Sequence, residues 1–146
     1  MNREQFLEYA NHFNSRRFDK VASYFRPDCT LEYPDNFQGP QMGGATAKTL
    51  HGPQEFIANY EALASNVREV LNVGTFLSRG RQFCAELVTE FHVFRTPEDG
   101  SHKEWKKGDV IVLNQNVLYD LDERGKFKRI RIFHHRHLDP STVQLH

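Results

Sequence analysis

The chain is poor in cysteine, tryptophan and methionine and carries no excess of charge. Two cysteines, Cys29 and Cys84, fall in strand-like segments without metal-ligand spacing, so no disulfide framework is implied and buried thiols in a reducing compartment are expected. Lysine plus arginine and aspartate plus glutamate both total 19. That balance lacks the electrostatic footprint of a nucleic-acid binder or an anionic-membrane binder. No run approaches the roughly 18 apolar residues of a membrane span, and Met-Asn-Arg-Glu-Gln opens no signal-peptide core. A cytoplasmic location is the expectation. Repeats, linkers and low-complexity tracts are absent too, which predicts one domain over 1–138 and a short tail over 139–146.

Aromatic residues are abundant. Twelve phenylalanines, five tyrosines and one tryptophan sit in a chain that is only 38% apolar. Rings must fill much of the core or line a cavity. Phe6, Tyr9, Ala10 and Phe13 recur at helical spacing, and Asn2 with Gln5 reads as a capping box, predicting a helix over 3–16. A second helix is expected over 18–25, stopped by Arg26-Pro27-Asp28, and then a strand over 29–33. Gly39-Pro40 and Gly43-Gly44 mark residues 34–51 as a long loop, expected to be a lid. Pro53 opens a third helix carrying Phe56, Ile57 and Tyr60 on one side. Strands over 67–78, 82–95, 102–121 and 126–138 follow, separated by Gly-containing turns. Three helices and then an antiparallel meander define an α+β fold with helices on one face of a curved sheet.

Polar residues interrupt these strands in places that invite chemistry. Asn114 and Asn116 share one face of a strand that is apolar on both sides, so each amide needs a partner or costs roughly 1 to 3 kcal/mol. An internal hydrogen bond and a ligand contact explain them equally. Glu86, Glu90 and His92 share a face opposite Phe83, Leu87 and Phe91. Solvent exposure explains that pattern, and so does a proton-handling Glu90–His92 pair. Alternation sends His135 and His137 away from His134, which lies in register with Ile130 and Ile132 toward a pocket. The histidines lack zinc-ligand spacing, so no metal is expected.

The stretch YANHFNSRRFDKVASYFRPDCTLEYPDNF, the Gly52-Pro53 helix start, the meander and Gly125-Lys126 before the last strand resemble the nuclear-transport-factor-2-like superfamily. That group includes scytalone dehydratase, ketosteroid isomerase, limonene epoxide hydrolase and small SnoaL-like polyketide cyclases. The resemblance implies a cone-shaped fold with one pocket. By resemblance to scytalone dehydratase, Tyr33 is a catalytic tyrosine that positions water, Asn114 binds substrate and His92 is an acid/base. Phe13 and Asn14 stand where that enzyme has a tyrosine and an aspartate, and its second histidine has no counterpart at 70–72. By resemblance to ketosteroid isomerase, Tyr9 and Asn116 are oxyanion donors, while Tyr33 replaces the general-base aspartate. The epoxide-hydrolase Asp-Arg-Asp triad is missing, with Ile132 at its last position.

The expectation is therefore a cofactor-independent lyase, isomerase or cyclase acting on a small carbonyl-containing or phenolic intermediate of polyketide or terpenoid type. Tyr9, Tyr33, Glu90, His92 and Asn116 are its expected catalytic groups. Phe13, Asn14, Phe25, Phe56, Tyr60, Glu86, Trp105, Asn114, Ile130, Ile132 and His134 are the expected substrate contacts. The alternative is a non-catalytic binder or association domain. A homodimer or homotrimer is expected through the outer sheet face, with Ile111, Leu113, Val117 and Tyr119 as the interface.

Overall fold

Asn2 sets the first helix. Its side chain accepts a hydrogen bond from the Gln5 amide at 2.9 Å, and Gln5 accepts from the Asn2 amide at 2.8 Å. This reciprocal cap satisfies two otherwise orphaned donors and starts α1 (Arg3–Asn14). The computed structural model describes residues 1–33, 48–100 and 102–146; most of the expected lid, 34–47, lies outside them.

Helix α2 (Phe18–Ala22) stops earlier than expected, because Phe25 already belongs to β1 (Phe25–Tyr33). Burial of the Phe25 ring against Phe56 at 4.6 Å and Phe127 at 5.6 Å outweighs the helical spacing of its neighbours. The pairing of β1 shifts register between Phe25 and Thr30, which accommodates Pro27. Residues expected as the end of the loop form β2 (Lys48–His51), antiparallel to β1. Helix α3 (Gly52–Ala64) follows at once.

The meander then comprises β3 (Val67–Arg79), β4 (Gln82–Val93), β5 (Val110–Leu121) and β6 (Phe127–Leu138). β5 starts later than expected because residues 102–108 turn back over the sheet end. There Trp105 packs against Phe91 at 5.5 Å and stacks on His102 at 4.2 Å. The order is β2-β1-β6-β5-β4-β3, and β1–β6 is the parallel pair. Helices and mostly antiparallel sheet thus build the expected α+β architecture. No helix among the described residues is long and apolar enough to cross a membrane.

The covered face of the sheet holds two clusters. One joins α1, α2 and α3 to β4–β6 around Phe6, Phe56, Phe83 and Phe127. The other gathers Val67, Phe91, Val93, Trp105 and Leu113 at the far end. Pairing places Gln115 opposite Leu87 and Asn114 opposite Val88, so the odd residues of β5 point inward. Leu113 is 0% exposed, Val117 and Tyr119 belong to the first cluster, and Ile111 packs on the second. These four residues cannot form the expected outer interface. Leu113→Asp would break the core whatever the oligomeric state.

Irregularities in the β3–β4 and β5–β6 ladders bend the sheet around the helices. One of them, opposite Asn114 and Gln115, resets the alternation of β6. His134 and His137 consequently meet with ring centroids 4.9 Å apart, contrary to the expected opposite faces. At the α3 start, Gly52 has φ 75°, and a Cβ there would lie 2.8 Å from the Pro27 carbonyl oxygen. Gly125 has φ 77° with open space around it. Both alanine variants incur backbone strain, and only the first adds a collision. Gly52→Ala should lower urea-unfolding stability by about 2 to 3 kcal/mol, against about 1 kcal/mol for Gly125→Ala. Equal losses would show that the Pro27 contact is relaxed at no cost.

Candidate functional site

Between the two clusters the helices and the bent sheet leave a cavity of about 430 Å³. That size suits a small organic molecule. Its walls come from rings and aliphatic chains, including Phe13, Phe56, Phe91, Trp105, Leu87 and Ile130. Lys48, Asp99 and Gly100 are exposed and flank the opening.

Four tyrosines carry hydroxyls into this apolar space. Tyr33 and Tyr60 share a hydrogen bond of 2.5 Å, and Tyr9 hydrogen-bonds Tyr119. Burial pushes all four phenols above their ordinary range, so they remain protonated donors. Each pair consumes one proton internally and leaves one to offer a ligand. Gln115 adds an amide. Its Oε1 accepts from Thr89 Oγ1 at 2.9 Å, which leaves the Nε2 group without another partner among the described residues.

The group that sequence reasoning missed is Glu69. Its position on β3 opposite Phe91 turns it into the cavity. Oε2 is buried and hydrogen-bonds nothing. With no donor to stabilise the anion, burial raises its pKa to about 8. The phenols of Tyr9, Tyr33 and Tyr60 lie within electrostatic reach of it. A signal existed: inward Glu69 interrupts the alternation of Val67 and Leu71.

Half of the expected site converges here. Tyr9, Tyr33, Phe13, Phe56, Tyr60, Trp105, Ile130 and Ile132 line the cavity. The others do not. Asn14 is structural, its amide bracketing Leu71 through the backbone N at 2.7 Å and the carbonyl at 3.0 Å, which ties α1 to β3. Phe25 is core packing, and His134 turns to His137 rather than lining the cavity. Glu86, Glu90, His92, Asn114 and Asn116 occupy the opposite sheet face, as the β4–β5 register requires.

On that outer face several of the polar side chains pair with one another. Asn114 donates to Glu86 Oε1 at 3.1 Å. The expected Glu90–His92 contact exists, at 2.6 Å, but Asn72 and the backbone and ring of His146 complete the shell around the same carboxylate. Burial alone would raise the Glu90 pKa; the surrounding hydrogen bonds overcome it and hold it at about 2. Glu90 is 0% exposed, so the pair is a structural anion site covered by the chain's last residues. Among the described residues no three His, Cys, Asp or Glu side chains are placed to hold a metal ion.

No family model matches the sequence, and no curated protein is detectably similar to it. Solved structures do match in shape. The epoxide hydrolase/cyclase-like enzyme SalBIII, described in pyran ring formation in the polyether salinomycin, superposes with TM-score 0.68 at 16% identity, over 92% of this chain and 95% of that one. A protein from Shewanella denitrificans OS-217 assigned as a SnoaL-like polyketide cyclase gives TM-score 0.69 at 11% identity, over 90% and 88%. An NTF2-like protein of unknown function from Burkholderia pseudomallei K96243 gives 0.67 at 16%, over 90% and 88%. The chain has the nuclear-transport-factor-2-like fold.

The Glu69 environment has a consequence for stability. The folded chain keeps this proton up to about pH 8, whereas the unfolded chain releases it near 4.5. Between those values the folded state binds more protons, so its stability must fall as pH rises through the window. Glu69→Gln, which mimics the neutral acid, should remove this slope. At pH 9 the variant should exceed the parent by about 4 kcal/mol in urea unfolding, with little difference near pH 5. Parallel stability profiles for the two proteins would show that Glu69 ionises normally.

Proposed function

We propose that this chain is a cofactor-independent acid–base enzyme of lyase, isomerase or cyclase type, which moves a proton on a small carbonyl-containing or phenolic compound through Glu69. The observation that carries the reading is an unpartnered carboxyl facing tyrosine hydroxyls inside an apolar cavity. A carboxyl poised near neutral pH suits both halves of a proton transfer. As carboxylate it removes a proton from carbon beside the carbonyl; as acid it returns that proton to another atom or to a departing hydroxyl. Tyr9 and Tyr33, each steadied by its partner phenol, and the Gln115 amide are the donors available to the developing enolate oxygen. Such donors supply about 2 to 4 kcal/mol each, and the base a factor of about 10² to 10⁴.

The neighbours' descriptions, a cyclase-like enzyme in polyether formation and an assigned polyketide cyclase, agree with a polyketide-like substrate of secondary metabolism. One observation favours the second reading, a non-catalytic carrier: the imidazole–carboxylate pair expected to move protons lies across the sheet from the cavity.

Enolisation separates the two readings without knowledge of the natural substrate. Deuterium incorporation beside the carbonyl of 2-tetralone in D2O, followed by NMR, should exceed the buffer rate and increase as Glu69 ionises toward pH 8. Glu69→Gln should lower the protein-dependent rate about 100-fold or more, and Tyr33→Phe about tenfold. Binding of 2-tetralone with exchange no faster than buffer would establish the carrier instead.

A further inference from the structure

A connected chain of polar side chains runs along one wall of the cavity. From the opening inward, Lys48 Nζ donates to Asn59 Oδ1 at 2.5 Å, the Asn59 side chain hydrogen-bonds the Tyr33 phenol, and Tyr33 meets Tyr60 at 2.5 Å. Lys48 Nζ also sits 5.1 Å over the centre of the Tyr33 ring. A lysine side chain is normally a mobile, strongly hydrated charge. Here an amide and an aromatic face fix it at the rim.

Among the described residues Lys48 is the one lysine or arginine lining the cavity, and no carboxylate is paired with it. Partial burial lowers its pKa, a sign that its hydration is incomplete. No other ionisable group among the described residues forms an ion pair with it. Glu69 keeps its proton up to about pH 8, and Asp99 lies beside His102, whose ring stacks on Trp105 at 4.2 Å. His102 itself is pulled toward the neutral form, by burial first and by Lys48 in part.

We propose that Lys48 is a specificity-determining residue that receives a carboxylate of the ligand at the cavity rim. The ligand class is then a small aromatic or unsaturated acid, its charged end at Lys48 and its carbonyl-bearing body between the tyrosines and Glu69. This rests on the reading of the cavity as the substrate site. The Lys48–Asn59–Tyr33 chain gives the arrangement a second role: a carboxylate engaging Lys48 draws on the same hydrogen-bond chain that orients Tyr33.

Two compounds of nearly equal shape test the charge alone. 2-Naphthoate carries the carboxylate, and 2-acetylnaphthalene replaces it by a neutral methyl ketone. Trp105, the single tryptophan, lines the cavity, so quenching of its emission reports occupancy. Lys48→Met should raise the 2-naphthoate Kd at least fivefold and leave 2-acetylnaphthalene within about twofold, while Lys48→Arg should keep both near the parent values. Equal weakening of both compounds by Lys48→Met, or of neither, would overturn the assignment. Unchanged 2-acetylnaphthalene binding also certifies that the variant is folded. If the parent protein binds neither compound, the substrate-site reading falls, and this inference with it.

Discussion

A carboxyl group enclosed by aromatic rings, with one oxygen denied any hydrogen bond, must surrender its charge or cost the fold several kcal/mol. Glu69 keeps its proton. The surrounding architecture serves that condition: one aromatic cluster closes the cavity on the α1 side, the Trp105 cluster closes the other end, and the bent sheet spans them. The tyrosine hydroxyls pair with one another, and none of them hydrogen-bonds the Glu69 Oε2. An apolar residue at position 69 would make a more stable core, and stability given up in this way is the pattern the proposed proton transfer needs.

The other buried glutamate shows the opposite solution on the opposite face. Glu90 is more completely enclosed than Glu69, yet it remains an anion because Asn72, His92 and His146 direct donors at it. Burial is common to both, and the donor count decides the outcome. One acid fastens the end of the chain across the sheet. The other faces a space where a ligand can take its proton.

Much of the fold was legible from local chemistry. The Asn2–Gln5 cap, the aromatic stripe of α1, Pro53 at the start of α3 and the Gly80 and Gly125 turns each have a local cause, and these elements appear where that cause places them. Strand β2 was not legible. Its four residues carry no alternation, and it exists because β1 offers an edge. Phe25 left its helical pattern for a tertiary reason, its place between Phe56 and Phe127. The site was harder, since chemistry depends on which sheet face a residue occupies. Both faces of β5 are apolar because the last residues of the chain cover part of the outer one, so alternation alone could not tell Gln115 from Asn114. Where helices supply the wall, the helical aromatic stripe already marks the lining residues, as for Tyr9, Phe13, Phe56 and Tyr60.

The ionisation of Glu69 can be observed directly. In protein labelled with ¹³C at glutamate Cδ, the resonance that disappears in Glu69→Gln belongs to this residue, and its chemical shift against pH gives the pKa without a substrate or an unfolding step. A midpoint near 8 is predicted. A midpoint between 4 and 5, the ordinary range of a hydrated glutamate, would mean that water or an unseen donor solvates the carboxylate, and would contradict both the neutral acid and the proton transfer built on it.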